Sequence, residues 1–272
     1  MLDEIAQFTQ DLAVEAGCLI AEQRKNGSLQ HNYKDQQELV TSADIAADKL
    51  IIDKIQSTYP NHRILSEETY TNKDALKDLS SPIWIIDPID GTVNYAHGHQ
   101  MVAISIAFAC DGEVKLGVVH NPFMQETFHA VLGRGAFLNG QNIEVSRADT
   151  LRKSLIATGF PYDKTTVPEI MARTQKVLMA CQDIRRLGSA ALDICWVACG
   201  RLDGYFESLS PWDFAAARVI ALEAGAICGH FQDIPEDIPA CIFDQNLLIS
   251  TPEIYNDLHD LLYPACRLTQ PL

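Results

Sequence analysis

Residues 84–98 read WIIDPIDGTVNYAHG, and with Ile83 ahead of them four apolar residues run straight into Asp87, Pro88, Asp90, Gly91 and Thr92. An apolar run of this length that ends in charge reads as a buried strand stopping at a polar site. Two carboxylates converging there would repel, and burial would raise the pKa of at least one, so the arrangement demands cations, shared protons or water. All-oxygen donors point to magnesium rather than zinc. More acids end other apolar segments: Glu67-Glu68 after Ile64-Leu65, and Asp213 in Pro211-Trp212-Asp213 at a helix start. Carboxylates from three separated element ends are what a two-metal site requires. Taken singly, Asp213 reads as a helix cap and Glu67-Glu68 as a solvated loop pair. Gly91 lets backbone N–H groups approach an anion and the Thr92 hydroxyl can orient a water, which suits a phosphate ester better than a carbonyl substrate.

The rest of the chain predicts layers around that strand. Ile5, Phe8, Leu12, Ala16 and Leu19 mark one face of a helix over residues 2–25, stopped by Asn26-Gly27. HNYKDQQEL is polar and aperiodic and reads as a loop, and TSAD caps a second helix that ends at Tyr59-Pro60. Strands follow at 63–65 and 83–86, then an antiparallel run at 102–108, 114–119 and 126–131 punctuated by Gly133, Gly135 and Asn139-Gly140. Beyond about residue 146 the pattern predicts a helix at 190–199, a strand at 204–207, a helix at 212–224, a strand at 246–249 and a last helix from 252. This order argues for layered sheets and helices, not a doubly wound nucleotide fold.

Composition narrows the function. With 36 acidic against 21 basic residues the formal net charge is −15, so an overall basic footprint for nucleic acid is absent. The acidic start MLDEIAQFTQ and the lack of a long apolar run predict a cytoplasmic chain without a membrane span. Eight scattered cysteines with no C-x-x-C pair read as buried free thiols rather than a disulfide framework or a zinc site. The eight histidines show no H-E-x-x-H spacing.

ILSEE, WIIDPIDGTVNY and PWDFAAARVIALEAG, in that order, resemble the three signature segments of the inositol monophosphatase family of magnesium-dependent, lithium-sensitive phosphatases. LVTSAD, ATGFPYD at 157–163 and RRLGSAALDICWVACGRLDGYFE at 185–207 extend the resemblance over nearly the whole chain. It implies an α+β fold, the layered αβαβα sandwich of the inositol monophosphatase and fructose-1,6-bisphosphatase type. One phosphatase domain, 1–272, is expected, with a half at about 1–145 carrying the metal core and a half at about 146–272 supplying Asp213 and the specificity wall. It also implies that Glu67, Asp87, the Ile89 carbonyl, Asp90 and Asp213 hold two or three Mg2+, with Asp87 bridging two of them. Thr92, supported by Asp44, would position and help deprotonate the attacking water together with Glu67 and a metal. Gly91 and Thr92 would touch the phosphate, and Lys34 would lie on a mobile loop over the site. Water activated by one metal then attacks phosphorus in line, while the other stabilises the leaving alkoxide.

Specificity is expected around Gly188, Ser189, Ala190 and Glu207, where a carboxylate suits vicinal hydroxyls. Asp90 can share that task. This favours a polyol monophosphate such as myo-inositol 1-phosphate, with fructose 1,6-bisphosphate, histidinol phosphate and 3'-phosphoadenosine 5'-phosphate as alternatives on the same metal core. The resemblance implies a homodimer. It also brings an alternative of another class, an antitermination module that binds RNA polymerase or a Nus factor, since one enterobacterial relative doubles in that role. The chain departs from the family pattern at Ala226, at Ile227-Cys228-Gly229-His230 and in the acidic stretch 232–239, which bears on the shape of the second half and not on the metal ligands.

Overall fold

The computed structural model describes residues 2–27, 31–34, 38–69, 78–161, 163–236 and 238–263. Two helices come first, α1 (Leu2–Lys25) and α2 (Ser42–Thr58), joined through the short strands β1 (His31–Lys34) and β2 (Glu38–Thr41). The segment read as a loop is therefore a ladder, with His31 opposite Thr41 and Lys34 opposite Glu38. Backbone pairing needs no apolar alternation, so a polar hairpin leaves no periodic trace in the sequence.

A seven-stranded sheet follows, formed by β3 (Arg63–Ser66), β4 (Ile83–Asp90), β5 (Ala103–Cys110), β6 (Glu113–Asn121), β7 (Glu126–Val131), β8 (Ala136–Leu138) and β9 (Gln141–Ile143), lying side by side in chain order. The β3–β4 pair is parallel and the others are antiparallel. Between β4 and β5 lies the one-and-a-half-turn α3 (Thr92–His97). The second sheet contains β10 (Leu155–Thr158), β11 (Asp183–Arg185), β12 (Gly204–Glu207), β13 (Ile227–His230) and β14 (Leu247–Ser250), in the order β11-β10-β12-β14-β13. Helices α4 (Val167–Ala180), α5 (Ala190–Ala198), α6 (Pro211–Glu223) and α7 (Pro252–Leu262) complete the chain.

Strand alternation sorts the core into layers. Trp84 and Ile86 of β4, with Ile104, Ile106 and Phe108 of β5, pack on α1 and α2 through Ile5, Leu12, Ala16, Ile51 and Ile55. Ile83 and Ile85, with Ala103 and Ala107, face the opposite way onto α5 and α6. The same cluster takes in Tyr205, Leu247 and Ile249 from the second sheet, so α5 and α6 are shared between the sheets. The outer face of that sheet, Ile156, Phe206 and Leu248, is covered by Val177 of α4 and Ile254, Leu258 and Leu262 of α7. The result is helix, sheet, helix, sheet, helix, as the resemblance implied.

The middle layer is thin because its contact residues are small. Ala215, Ala216 and Ala217 line α6, and Gly117 of β6 lies directly beneath it. A Cβ on Gly117 would collide with the Ala216 carbonyl oxygen and come within 2.7 Å of Val219 Cγ1. Cysteine burial is more mixed than expected: Cys181 and Cys195 are buried, Cys18 is exposed, and Cys110, Cys199, Cys228 and Cys241 are half-buried, all as free thiols. Cys266 lies outside the described residues. Among the described residues no helix is long and apolar enough to cross a membrane.

Gly117→Ala separates two effects of opposite sign. Lower chain entropy in the unfolded state favours Ala in a strand by roughly 0.5–1 kcal/mol, whereas overpacking against a helix backbone costs about 1–3 kcal/mol. The collision should win, and the urea midpoint should fall; a rise would show that α6 moves off the sheet without cost.

Candidate active site

The site begins with a break in the β4–β5 ladder. Asp87 lies opposite Ser105 and Asp90 opposite Ala103, so three residue steps on β4 span two on β5. In a regular strand, residues three apart point to opposite faces. The extra residue in the Pro88-Ile89 bulge returns both acids to one face, the side of α5 and α6. Asp87 Oδ1 accepts the Ile89 N–H at 2.9 Å, which stiffens the bulge. Gly91 then turns the chain into α3 with φ 98°, and a Cβ there would stand 2.8 Å from the Met101 carbonyl. Only glycine meets both demands without strain.

Each remaining acid arrives from another element. Glu67 follows β3, its N–H donating to the Ile86 carbonyl at 3.1 Å, and its carboxyl hydrogen-bonds that of Asp87. Asp213 is the third residue of α6 and accepts the Ser210 N–H at 2.9 Å, with Ser210 as the cap. Asp213 is thus part of a capping box and not the cap itself, and it also faces Asp87. The Trp212 carbonyl accepts from Ser105 Oγ at 3.2 Å, tethering this helix start to β5. One oxygen from each of Asp87, Asp90 and Asp213 lies within 4.8 Å of the others.

Burial raises all three carboxyl pKa values. For Asp87, pushed well up, the charges of Glu67, Asp90 and Asp213 add to burial. Asp213 is likewise pushed well up by burial and then by Asp90. Asp90 rises to about 6, its burial countered by the Ser189 hydroxyl, the Ala191 and Ala190 N–H groups and the Arg186 charge. Ser189 Oγ donates to Asp90 Oδ2 at 2.6 Å, and Ala191 N at 2.8 Å. A cluster of oxygen donors that cannot all ionise next to one another fits a divalent cation, which would remove both the repulsion and the desolvation penalty.

Thr92 stands beside the cluster, with Oγ1 3.0 Å from Asp44 Oδ1 and 3.1 Å from the Ile89 carbonyl. Asp44 is itself fixed by the α2 capping box, accepting from the Thr41 N–H at 2.8 Å and the Thr41 hydroxyl at 2.6 Å. Such an acceptor takes the Thr92 proton and leaves the hydroxyl lone pairs facing outward.

A cleft of about 830 Å³ holds these groups together with Gly188, Ser189, Ala190 and Glu207. Glu207 accepts the Tyr205 hydroxyl on Oε2, and burial pushes its pKa up to about 7 against the pull of Arg186. Ser189 and Ala190 direct donors at Asp90. Lys34 belongs to β1, and its side chain lies outside the described residues. Sequence reasoning passed over Asp193, a buried acid of α5 on the wall of the same cleft. Its signal was a single charge inside the apolar helix AALDICWVA.

Comparison with known proteins fixes the class. The model of the inositol monophosphatase family matches residues 1–267. The chain belongs to that family of metal-dependent phosphatases. It is 39% identical to inositol monophosphatase 2 of Solanum lycopersicum over 80% of this chain and 85% of that protein. To the Nus factor SuhB of Escherichia coli K12 it is 40% identical, over 80% of this chain and 82% of that protein. An IMPase structure from Thermotoga maritima superposes with a TM-score of 0.84 at 32% identity, covering 97% of this chain and 98% of that one.

Glu207→Gln keeps an acceptor for Tyr205 and removes the titration. A folded pKa of about 7 against an ordinary 4.5 means that the fold favours the protonated acid. Native stability from this group is therefore complete below pH about 4.5 and lost as pH rises towards 7. In protein stripped of divalent ions, Glu207→Gln should gain on the native chain across that window by up to roughly 3 kcal/mol at pH 7. Urea midpoints at pH 4.5, 6 and 7.5 check this; parallel profiles would show that Glu207 ionises normally.

Proposed function

We propose that this chain hydrolyses a polyol phosphate monoester in the cytoplasm, with myo-inositol 1-phosphate as the first-ranked substrate and Mg2+ as the cofactor. The convergence of buried Asp87 and Asp90 with half-buried Asp213 from two elements, with Glu67 against Asp87, is the observation that carries the reading. Those four side chains and the Ile89 carbonyl would hold two or three ions. When bound, Mg2+ supplies positive charge to the phosphoryl oxygens and makes water easier to deprotonate. The protein's own groups do the rest. Thr92 Oγ1, its proton directed to Asp44, accepts a hydrogen bond from the attacking water and orients it, and Glu67 takes the released proton. Main-chain N–H groups of Gly91 and Thr92 meet the phosphate, and Asp90 is kept in place by the first turn of α5.

Glu207, with Gly188, Ser189 and Ala190, forms the wall for the alcohol. Its free oxygen accepts a hydroxyl of the leaving group, which favours a polyol over a simple alcohol. The halves at about 1–145 and 146–272 act as one catalytic domain, because the α5–α6 layer contributes to both sheets. Exposed Met171, Leu178 and Met179 on α4, seven and eight positions apart, support a homodimer.

A second reading is carried by the relatives named Nus factor SuhB: a surface that binds RNA polymerase or a Nus factor. Polymerase copurifying equally with the native chain and Asp87→Asn would support it, and its absence from both would remove it.

Phosphate release from myo-inositol 1-phosphate, fructose 1,6-bisphosphate, histidinol phosphate and 3'-phosphoadenosine 5'-phosphate, with and without Mg2+, tests the enzymatic reading. The inositol ester should be preferred, and Asp87→Asn should lower kcat at least 100-fold, about 2.7 kcal/mol of barrier. Thr92→Ala should lower kcat by roughly 10²-fold or more with KM little changed. A folded, Mg2+-replete protein inactive on all four esters would overturn the proposal.

A further inference from the structure

Asp193 and Asp244 are the acids of the cleft wall to which the scheme above gives no task, and of the two only Asp193 is buried. It lies in the first turn of α5, is 2% exposed, and lines the same cavity as Glu207. Its Oδ1 is buried without a hydrogen-bond partner among the described residues. An unsatisfied buried carboxyl oxygen is costly, and native folds leave few of them. The like charges of Asp90 and Glu207 act on Asp193, so its surroundings make that cost larger.

The acids facing Asp193 and the Arg186 guanidinium define what it would accept. Arg186 lies at the exposed rim of the cleft, and its charge reaches Asp90, Glu207 and Asp193 alike. A neutral hydrogen-bond donor fits the orphaned oxygen without repulsion.

We propose that Asp193 is a second specificity-determining acceptor beside Glu207, taking a hydrogen bond from a hydroxyl of the leaving alcohol, so that the cleft selects alcohols bearing at least two further hydroxyls. The inference rests on the phosphatase reading above. Two acceptors on one wall distinguish a polyhydroxylated ring from a chain with one hydroxyl, because a missing donor leaves a buried carboxyl oxygen unpaired in the complex.

The test compares myo-inositol 1-phosphate with n-propyl phosphate on the native chain, Asp193→Asn and Asp193→Ala, each with Mg2+. In Asp193→Ala the ratio of kcat/KM for the inositol ester over the propyl ester should fall at least tenfold, mainly through KM for the inositol ester, whereas Asp193→Asn, which keeps a carbonyl acceptor, should retain part of it. The apparent Tm of the ligand-free variants should equal or exceed that of the native chain, since no protein hydrogen bond is lost and two repulsions are removed. Equal losses on both esters with a lowered Tm would make Asp193 a structural residue and overturn the inference. A preference for O-phosphoethanolamine that is lost in the variants would put an ammonium in place of the hydroxyl and also overturn it. A native chain active on the inositol ester, with variants of unchanged ratio, would sink this inference alone. A native chain inactive on every ester would sink the phosphatase reading and this inference with it.

Discussion

Asp90 is held by the N-terminus of α5, accepting from Ala190 N, Ala191 N and the Ser189 hydroxyl, and two other acids of the site are held in the same manner. Asp44 closes a capping box on α2, and Asp213 closes one on α6. A helix start offers unpaired N–H groups and the positive end of the macrodipole, so it can fix a carboxylate that would otherwise swing away from its like-charged neighbours. Three helix starts therefore aim at one point. Side-chain carboxylates on loops would relax apart under the same repulsion. The local pattern that makes each helix begin where it does is also the pattern that places an acid in the cleft.

That arrangement works only if the helices come close enough to the strand end. Alanines at 215–217 and the absent side chain of Gly117 let α6 lie against β6, and Ser105 ties the Trp212 carbonyl to β5. The Ala103 and Ala107 positions on β5 serve the same approach from beneath. Large residues are placed on the other face, where Trp84 and Phe108 pack at tilted angles against Tyr59 and His62 under α1 and α2. The sheet is thus thick on its α1–α2 side and thin on its α5–α6 side, and the site opens on the thin side. Core volume in this fold is distributed by the distance over which acids must meet.

Much of this could be read in the residues before any coordinates. The helices at 2–25, 42–58, 190–198 and 211–223 announce themselves by period and by their stops, and the strand ending at Asp90 by its apolar run. The bulge at Pro88-Ile89 left no such trace, because a two-residue period breaks identically for a turn and for an inserted residue. The ladder of 31–34 with 38–41 was invisible for a related reason: its polar sequence alternates in nothing that a hydropathy pattern can register. Sequence reasoning set Asp213 among the converging acids, but the dual use of its carboxylate, one oxygen for Ser210 N and the group for the cluster, appears only when β4 and α6 meet. Asp193 escaped because its meaning depends on Glu207, fourteen residues later and on a strand of the second sheet.

The native chain carries more buried negative charge at this cleft than its own donors can satisfy. Asp87, Asp213 and Asp193 are all pushed well above ordinary carboxyl pKa values, with burial the first cause in each. A fold selected for stability alone would replace such groups with amides or apolar residues. On the proposed reading the stabilising partners arrive from outside: cations for the Asp87, Asp90 and Asp213 cluster, and hydroxyl donors for Glu207 and Asp193. Binding that relieves native-state repulsion stabilises the fold by mass action and makes the empty site the least stable part of it. The two demands fall on adjacent walls of a single cavity, joined through Asp90, whose charge acts on Asp213 on one side and on Asp193 on the other. Neutralising the first wall lowers the electrostatic cost of ionising the second, so cation loading favours the carboxylate forms that accept hydroxyls. On the same reading, cofactor and alcohol recognition are coupled through charge.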